Sequence, residues 1–201
     1  DMKYREEIAS ILRKHEYNRE PEDLAALLLD AYRNSTKGEV KDMHEFWKLF
    51  LKGVGASENH LLIEKLEGAR KRFLGKTIRL YDDVVSVLSE LKTRYRLSLV
   101  SNCAIGMSDV IEALDLTRFF ECILLSHEVR IRKPDRRIYL EALQRLKLRP
   151  EECVFVADEI SDLEGAREVG LKTFLIRQGP HAPSEVRLRD FEPDFESNNI
   201  S

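Results

Sequence analysis

The fold of this chain is decided by the stretch CVFVADEISDLEGA, which covers residues 153–166. Its first part is a short apolar run with β-branched and aromatic side chains, a composition typical of a buried strand. Ser161 with Glu164 three positions later forms a capping-box pattern, which predicts a helix that begins at Asp162. Asp158 therefore lies at the carboxyl end of the predicted strand, and Asp162 lies in the first turn of the predicted helix.

Two carboxylates at the end of this strand allow two interpretations. In open α/β sheets, ligands bind beyond the carboxyl ends of the strands, and paired carboxylates there suit a hard divalent cation that bridges to phosphate. Alternatively, Asp162 only interacts favourably with the helix dipole, and Asp158 only caps a loop. The stretch taken alone leaves both interpretations open.

Composition limits the class of protein. The chain has 201 residues, of which 43% are hydrophobic, enough for one large or two small globular domains. No apolar run approaches the ~20 residues of a membrane span. The formal charge of -3 arises from interspersed signs, which predicts neither a nucleic-acid partner nor a membrane partner. Three widely spaced cysteines and the lack of a signal-peptide pattern predict a cytoplasmic protein, and the 34% charged residues suggest a thermophilic source.

Residues 2–75 show helical periodicity without a strand pattern. Apolar residues recur at helical spacing in four stripes, and this pattern predicts a small helical bundle, which we assign to a domain of residues 1–76. His44 and Trp47 in the third stripe raise the hypothesis of a ligand site. The alternative is that Trp47 is a core residue and His44 a surface residue, which is the commoner situation for both residue types in this context.

From residue 77 onward, apolar segments of strand type alternate with amphipathic helical segments. This alternation predicts an α/β fold with a doubly wound parallel sheet, which we assign to a domain of residues 77–201. Right-handed crossovers bring all the strand tips to one side of the sheet. We predict the tail from Pro180 onward to be a loop. Helices are predicted at 84–91 and 138–146, and residues 110–116 are predicted to be the end of another. The predicted strands lie at 97–100, 120–125, 153–157 and 173–176.

Two further polar segments belong to the strand tips. Ser101 and Asn102 follow the strand at 97–100, where a hydroxyl and backbone N–H groups suit an anion, although both residues are also ordinary helix N-caps. Lys133 precedes Pro134, which favours an extended lysine and fits the first turn of a following helix. The ammonium group of such a lysine can neutralise phosphate, although a solvated lysine before a helix is also common.

In their order along the chain, these segments resemble one family. The second, third and fourth motifs of the haloacid dehalogenase-like (HAD) hydrolase superfamily are similar to Ser101-Asn102, to SHEVRIRKPD at 126–135, and to VFVAD at 154–158 followed by Asp162 and Gly165-Ala166. The resemblance covers residues 77–178. It implies a Rossmann-like core at residues 77–201, and it implies that residues 1–76 are a four-helix cap inserted between the first and second motifs.

The resemblance also implies a chemistry. Members of the family transfer a phosphoryl group through a covalent intermediate on an aspartate nucleophile, with a second aspartate as acid and base and Mg2+ as cofactor. By motif, Ser101 would donate a hydrogen bond to a phosphoryl oxygen, and Lys133 would stabilise the nucleophile and the transferred group. Asp158 would bind Mg2+, Asp162 would act as the second acid of the site, and Asn102 would lie at the substrate rim.

The sequence departs from the family pattern at the first motif. An apolar strand that ends in Asp-x-Asp does not occur in residues 1–201, so the resemblance supplies neither a nucleophile nor its acid/base partner. We expect the strand that carries them to lie upstream of residue 1. Because that strand is central to the family's sheet, its omission would leave two interior strands with one unpaired edge each.

The acidic fourth motif guides the choice among family members. Asp158, Glu159 and Asp162 would repel one another without a cation, so we expect a magnesium-dependent phosphatase that acts on a small phosphorylated metabolite. The main enzymatic alternative is a haloacid dehalogenase, which by family pattern needs no metal and has a less acidic fourth motif. A sugar-phosphate mutase or phosphonate hydrolase would use the same core. A non-catalytic alternative is a protein that lacks the nucleophile and binds a phosphorylated ligand or a protein partner.

Overall fold

The computed structural model describes residues 1–36, 40–177 and 191–198. These residues form two compact units: a helical unit of residues 1–79 and 103–116, and a sheet unit of residues 80–102 and 117–201. The division differs from the predicted one because the segment 103–116 groups with the bundle. The domain boundary at residues 76 and 77 stays a prediction.

The described residues of the helical unit form five helices, and the first four correspond to the predicted bundle. Three of them begin with a side-chain cap, in which Asp1, Asp42 and Asn59 each accept a hydrogen bond from the backbone N–H three residues later. The helices are α1 (Met2–Arg13), α2 (Pro21–Thr36), α3 (Met43–Val54), α4 (His60–Thr77) and α6 (Met107–Ala113).

The core of the helical unit is built from the predicted apolar stripes. Trp47 is fully buried between Phe46 and Phe50, and its indole N–H donates a hydrogen bond of 2.8 Å to Glu67. The core interpretation of Trp47 is therefore confirmed. His44 lies at the surface, with its side chain 43% exposed beside Glu58.

The sheet unit has the parallel α/β organisation that the alternating pattern predicts. Strand β1 pairs in parallel with β2, while β3, β4 and β5 form a second parallel sheet in that order. The strands are β1 (Ser98–Ser101), β2 (Cys122–Leu125), β3 (Val154–Ala157), β4 (Lys172–Ile176) and β5 (Phe195–Ser197). The helices are α5 (Val84–Arg94), α7 (Ser126–Val129), α8 (Arg136–Leu146) and α9 (Ile160–Glu168).

Helix α8 connects the two sheets through a shared apolar core. Its residues Ile138 and Tyr139 are buried, and Val100 of β1 and Phe155 of β3 both pack against them. Within the part of the chain that the structure describes, β1 pairs only with β2 and β3 pairs only with β4. Each of these two strands therefore has one unpaired edge.

The same region has apolar surface that is not covered. Val154 and Val156 on one face of β3 are 48% and 54% exposed, while α9 packs against β3. The apolar stripe predicted for helix α5 does form a helix, but none of its residues is buried. Strands and helices of this composition are normally covered, so the exposed apolar surface of β3 and α5 is unusual for a parallel sheet and its helices.

Three local predictions were wrong. Helix α9 begins at Ile160 after Glu159, with no side-chain cap, so Ser161 lies inside the first turn and the predicted capping box does not form. Pro134 precedes the first turn of α8 because Asp135 is the N-cap and accepts a hydrogen bond from the Arg137 backbone N–H. The Lys133–Pro134 peptide bond is cis.

The third wrong prediction concerns the tail. Residues 178–190 and 199–201 lie outside the described residues, but Phe195–Ser197 forms a strand where we predicted a loop. Asp194 accepts hydrogen bonds from the backbone N–H and the hydroxyl of Thr173 in β4, and the Phe195 ring stacks on Phe174. These partners are distant in sequence, so local propensity did not reveal the strand.

Candidate functional site

The carboxyl end of β1 carries the first pair of candidate residues. Ser101 is the last residue of the strand and lies opposite Leu125 of β2 in the parallel register. Its hydroxyl makes no hydrogen bond to a residue that the structure describes, so it is available to donate to a ligand. Asn102 follows directly and begins the connection to the helical unit.

The Asn102 side chain is engaged with the main chain of Lys133. Its amide nitrogen donates a hydrogen bond of 2.8 Å to the Lys133 carbonyl, and its amide oxygen accepts one of 2.8 Å from the Lys133 N–H. Both polar groups of the Lys133 backbone are thereby bound to one side chain. These bonds join the carboxyl end of β1 to the turn before α8. The two polar segments therefore lie close together, as predicted for segments at the strand tips.

Lys133 extends from this turn towards the amino-terminal end of α9. Its Nζ lies 2.5 Å from Oδ2 of Asp162 and 5.6 Å from the centre of the Phe155 ring. The two side chains of this ion pair are 13% and 7% exposed, so they are screened from water far more than a surface pair. Each charge compensates the other, and removal of one would leave a nearly buried unpaired charge.

Asp158 lies immediately after β3 and four positions before Asp162. It is partly exposed and forms neither a hydrogen bond nor an ion pair with any residue in the described ranges. A carboxylate at a strand tip without a protein cation suits Mg2+, which prefers oxygen ligands and commonly takes only one or two from protein carboxylates. Within residues 1–36, 40–177 and 191–198, no cluster of three or more His, Cys, Asp or Glu side chains forms a metal cage. The Asp158 carboxylate fits the role of one such ligand.

The site has three supporting residues that were not predicted as site residues from the sequence: Tyr139, Phe155 and Gly165. The hydroxyl of Tyr139 donates a hydrogen bond of 2.8 Å to the carbonyl of Asp162, and its ring meets the Phe155 ring edge to face at 5.0 Å. Burial, followed by the nearby charge of Asp162, raises the pKa of Tyr139 well above its ordinary value. A Cβ atom on Gly165 would lie 2.4 Å from the Pro134 carbonyl oxygen, so α9 approaches the turn very closely.

The structure thus brings Asn102, Lys133 and Asp162 into one chain of direct contacts. Two candidate residues lie close to these contacts in sequence: Ser101 immediately precedes Asn102, and Asp158 lies four positions before Asp162. From the sequence alone, Tyr139 is only a residue of the amphipathic helix α8 that carries a hydroxyl group. Its hydroxyl needs a partner when buried, and this need was the signal that could have indicated its role.

Comparison with protein families identifies the family of this chain. The sequence model of the family described as haloacid dehalogenase-like hydrolase matches residues 14–176. The chain belongs to the haloacid dehalogenase-like hydrolases. The match includes all five candidate residues, so the resemblance seen in the second to fourth motifs is confirmed at the level of the family.

Relatives of this HAD chain include proteins named as phosphatases and proteins named as dehalogenases. It is 32% identical over 151 residues to a glyceraldehyde 3-phosphate phosphatase of Methanopyrus kandleri, an alignment that covers 74% of this chain and 65% of the relative. It is 31% identical over 143 residues to (S)-2-haloacid dehalogenase 4A of Burkholderia cepacia, covering 67% and 61%. The HAD chain therefore spans less than two thirds of the length of either relative.

A solved structure supports the fold. The 2-haloacid dehalogenase of Pseudomonas syringae pv. Tomato superposes with a TM-score of 0.68 over 98% of this chain and 86% of its own, at 20% sequence identity. At that identity the likeness concerns the fold alone. The HAD chain is an α/β protein with the parallel, Rossmann-like organisation predicted from its sequence. No helix among the described residues has both the length and the apolar character that crossing a membrane requires.

Proposed function

We propose that the protein containing this chain is a magnesium-dependent phosphatase that hydrolyses a small phosphorylated metabolite. The observation that carries the proposal is the presence, at the strand tips, of a lysine–aspartate ion pair together with a second aspartate. Lys133 and Asp162 compensate each other in a nearly buried ion pair, whereas Asp158, four positions before Asp162, makes no ion pair with a residue that the structure describes. Phosphatase names among the relatives, including the one from Methanopyrus kandleri, support the same class.

Each candidate residue then has a chemical role. The Ser101 hydroxyl donates to a phosphoryl oxygen, and Lys133 stabilises negative charge on the nucleophile and on the transferred group. Asp162 orients the Lys133 ammonium group and serves as the second acid of the site. Asp158 would hold Mg2+, which supplies positive charge between the carboxylates and the phosphate when bound. Asn102 was predicted to lie at the substrate rim, but both polar atoms of its side chain bind the main chain of Lys133.

The nucleophile is proposed to come from a strand outside these residues. The unpaired edges of β1 and β3, which both pack on α8, support a position for a parallel strand between them. We propose that this strand lies upstream of residue 1 and ends in the Asp-x-Asp pattern of the family. Its first aspartate would form the aspartyl-phosphate intermediate, and its second would act as acid and base. In this arrangement residues 1–76 are the cap and residues 77–201 belong to the core.

The test uses the full-length protein and a panel of aryl and sugar phosphates. We expect phosphate release that requires Mg2+ and stops in EDTA. Lys133→Ala and Asp158→Asn should each lower kcat/KM by about a hundredfold or more, the scale expected when charge stabilisation is lost. Lys71→Ala and Asp30→Asn change exposed residues of the same types in the helical unit and should be neutral. Turnover in EDTA, or near-native rates in either site variant, would contradict the assigned roles.

A haloacid dehalogenase is the second candidate, because relatives with that name align over a similar part of the chain. Such an enzyme would release halide from a 2-haloalkanoic acid in the presence of EDTA. Halide release without phosphate release would replace the phosphatase proposal. A protein that binds orthophosphate but turns over neither class of substrate would instead be a phosphate-ligand binder.

A further inference from the structure

We propose that Asn102 is a positioning residue for Lys133 rather than a substrate ligand. The inference rests on the proposed phosphatase function, because it concerns how the lysine of that site is held. Asn102 was predicted to lie at the substrate rim. In the structure, both atoms of its amide are directed to the main chain of Lys133.

The geometry of this contact is that of a two-point clamp. One amide donates to the Lys133 carbonyl and accepts from the Lys133 N–H, both at 2.8 Å, which reproduces the hydrogen bonds that a neighbouring strand would make. Lys133 lies in a turn between two regular elements, so no helix or strand binds its backbone. Among the described residues, Asn102 is the partner of both groups.

A clamp at this point matters because, among the described residues, the other charged or hydrogen-bonding partner of Lys133 is Asp162, at the far end of its side chain. The ammonium group pairs with Asp162, but four rotatable bonds separate it from the backbone. The turn itself is closed by a hydrogen bond of 2.9 Å from the Asp135 N–H to the Arg132 carbonyl, and Pro134 has no N–H group, so this bond does not involve the polar backbone groups of Lys133. Asn102 therefore fixes the near end of Lys133, as Asp162 fixes the far end.

The clamp also joins two candidate phosphate ligands. Asn102 follows Ser101 directly, and its side chain reaches across 31 residues of sequence to Lys133. The backbones of Ser101 and Lys133 are therefore linked through one side chain before substrate arrives. Loss of the clamp should lower the rate of the chemical step more than it weakens substrate binding, because misplacement of a charge-stabilising group by ~1 Å can cost about a hundredfold in rate.

The test is a double-mutant cycle in the full-length protein with Asn102→Ala, Lys133→Ala and the double variant. We expect Asn102→Ala to lower kcat about tenfold or more while KM changes by less than about threefold. In the Lys133→Ala background, the same substitution should change kcat by less than about twofold, because the residue that it positions is gone. Asn34→Ala removes a side-chain amide of the helical unit that, among the described residues, bonds to Asp30 in α2, and it should leave kcat and KM unchanged.

Two kinetic outcomes would overturn the proposal. One is a rise in KM with little change in kcat for Asn102→Ala, which indicates direct substrate binding. The other is a full multiplicative loss in the double variant, which indicates that Asn102 acts independently of Lys133.

A second measurement is independent of turnover and separates failure of the clamp from failure of the phosphatase proposal. The Lys133 amide hydrogen should exchange with solvent slowly in the wild-type protein and in Asn34→Ala, and at least about tenfold faster in Asn102→Ala. Rapid exchange in the wild-type protein would show that the clamp is not formed. Slow exchange without any phosphatase activity would remove the proposed function and keep the positioning of Lys133.

Discussion

Replacement of Gly165 by alanine tests the close approach on which the site depends. Gly165 lies in α9, and a Cβ atom there would meet the Pro134 carbonyl oxygen at 2.4 Å and a Tyr139 ring carbon at 3.0 Å. Real Cβ atoms essentially never approach another heavy atom within 3.0 Å. The helix and the turn must therefore separate by at least about 0.6 Å, and the obstacle is backbone that cannot rotate away.

The expected energy follows from two opposing terms. Overpacking of this kind costs about 1–3 kcal/mol, whereas alanine is favoured over glycine in a helix by about 1 kcal/mol. Gly75→Ala in α4 is the matched control, since nothing lies within 4 Å of its Cβ position and only the helix gain applies. The two variants should differ by about 1–3 kcal/mol in free energy of unfolding, with Gly165→Ala the less stable.

The assay is urea unfolding followed by circular dichroism, together with phosphatase kinetics on the full-length protein. Since the displaced turn carries Lys133, we expect Gly165→Ala to lower kcat about tenfold or more. Gly75→Ala should retain the wild-type kcat. A Gly165→Ala protein that is as stable as Gly75→Ala and fully active would refute the reasoning, because α9 and the turn would then not be in fixed contact.

Three further predictions concern the remaining charges and buried hydroxyls. Glu67→Ala should destabilise the helical unit by about 3 kcal/mol in thermal unfolding, because it leaves the buried Arg70 with Asp109 alone and removes the acceptor of the Trp47 N–H. The side-chain and backbone hydrogen bonds from Arg137 lower the pKa of Asp135 to about 2, so this N-cap contact stabilises the protein above the ordinary aspartate pKa and is lost as pH falls towards 2. A carboxyl NMR titration measures this, and Arg137→Ala should raise the value. Burial raises the pKa of three tyrosines, so absorbance at 295 nm should show them still protonated at pH ~10, the ordinary tyrosine pKa, and stability should fall as the pH rises above that value. Ionisation of these three side chains at pH ~10 would contradict this. The three are Tyr4, Tyr32 and Tyr139.

The order and type of most elements could be predicted from the sequence because they depend on local periodicity. The four apolar stripes of residues 2–75 became four helices, and the strands at 97–100, 153–157 and 173–176 were found within one residue at either end. Errors occurred where a local signal competed with packing. Ser161 has the residue pattern of an N-cap, but α9 begins one residue earlier, at Ile160, with Glu159 in the cap position and no side-chain cap.

The candidate site was predictable as a set of residue types but not as a set of contacts. The positions of Ser101, Lys133, Asp158 and Asp162 at element ends follow from the strand and helix pattern together with the family resemblance. The role of Asn102 could not be predicted. An amide side chain is equally suited to a ligand, a helix cap and a backbone clamp, and only the position of the Lys133 turn selects among them.

The sequence by itself determined the segments of this protein, because periodicity and end signals act over a few residues, and it determined the family through three motifs in order. Only the tertiary structure decided which segments meet. The bonds from Asn102 to Lys133 and from Tyr139 to Asp162 cross 31 and 23 residues, and the pairing of β5 with β4 depends on Thr173 and Asp194. Such contacts depend on burial and on competition for hydrogen-bond partners, which are properties of the folded chain rather than of any segment.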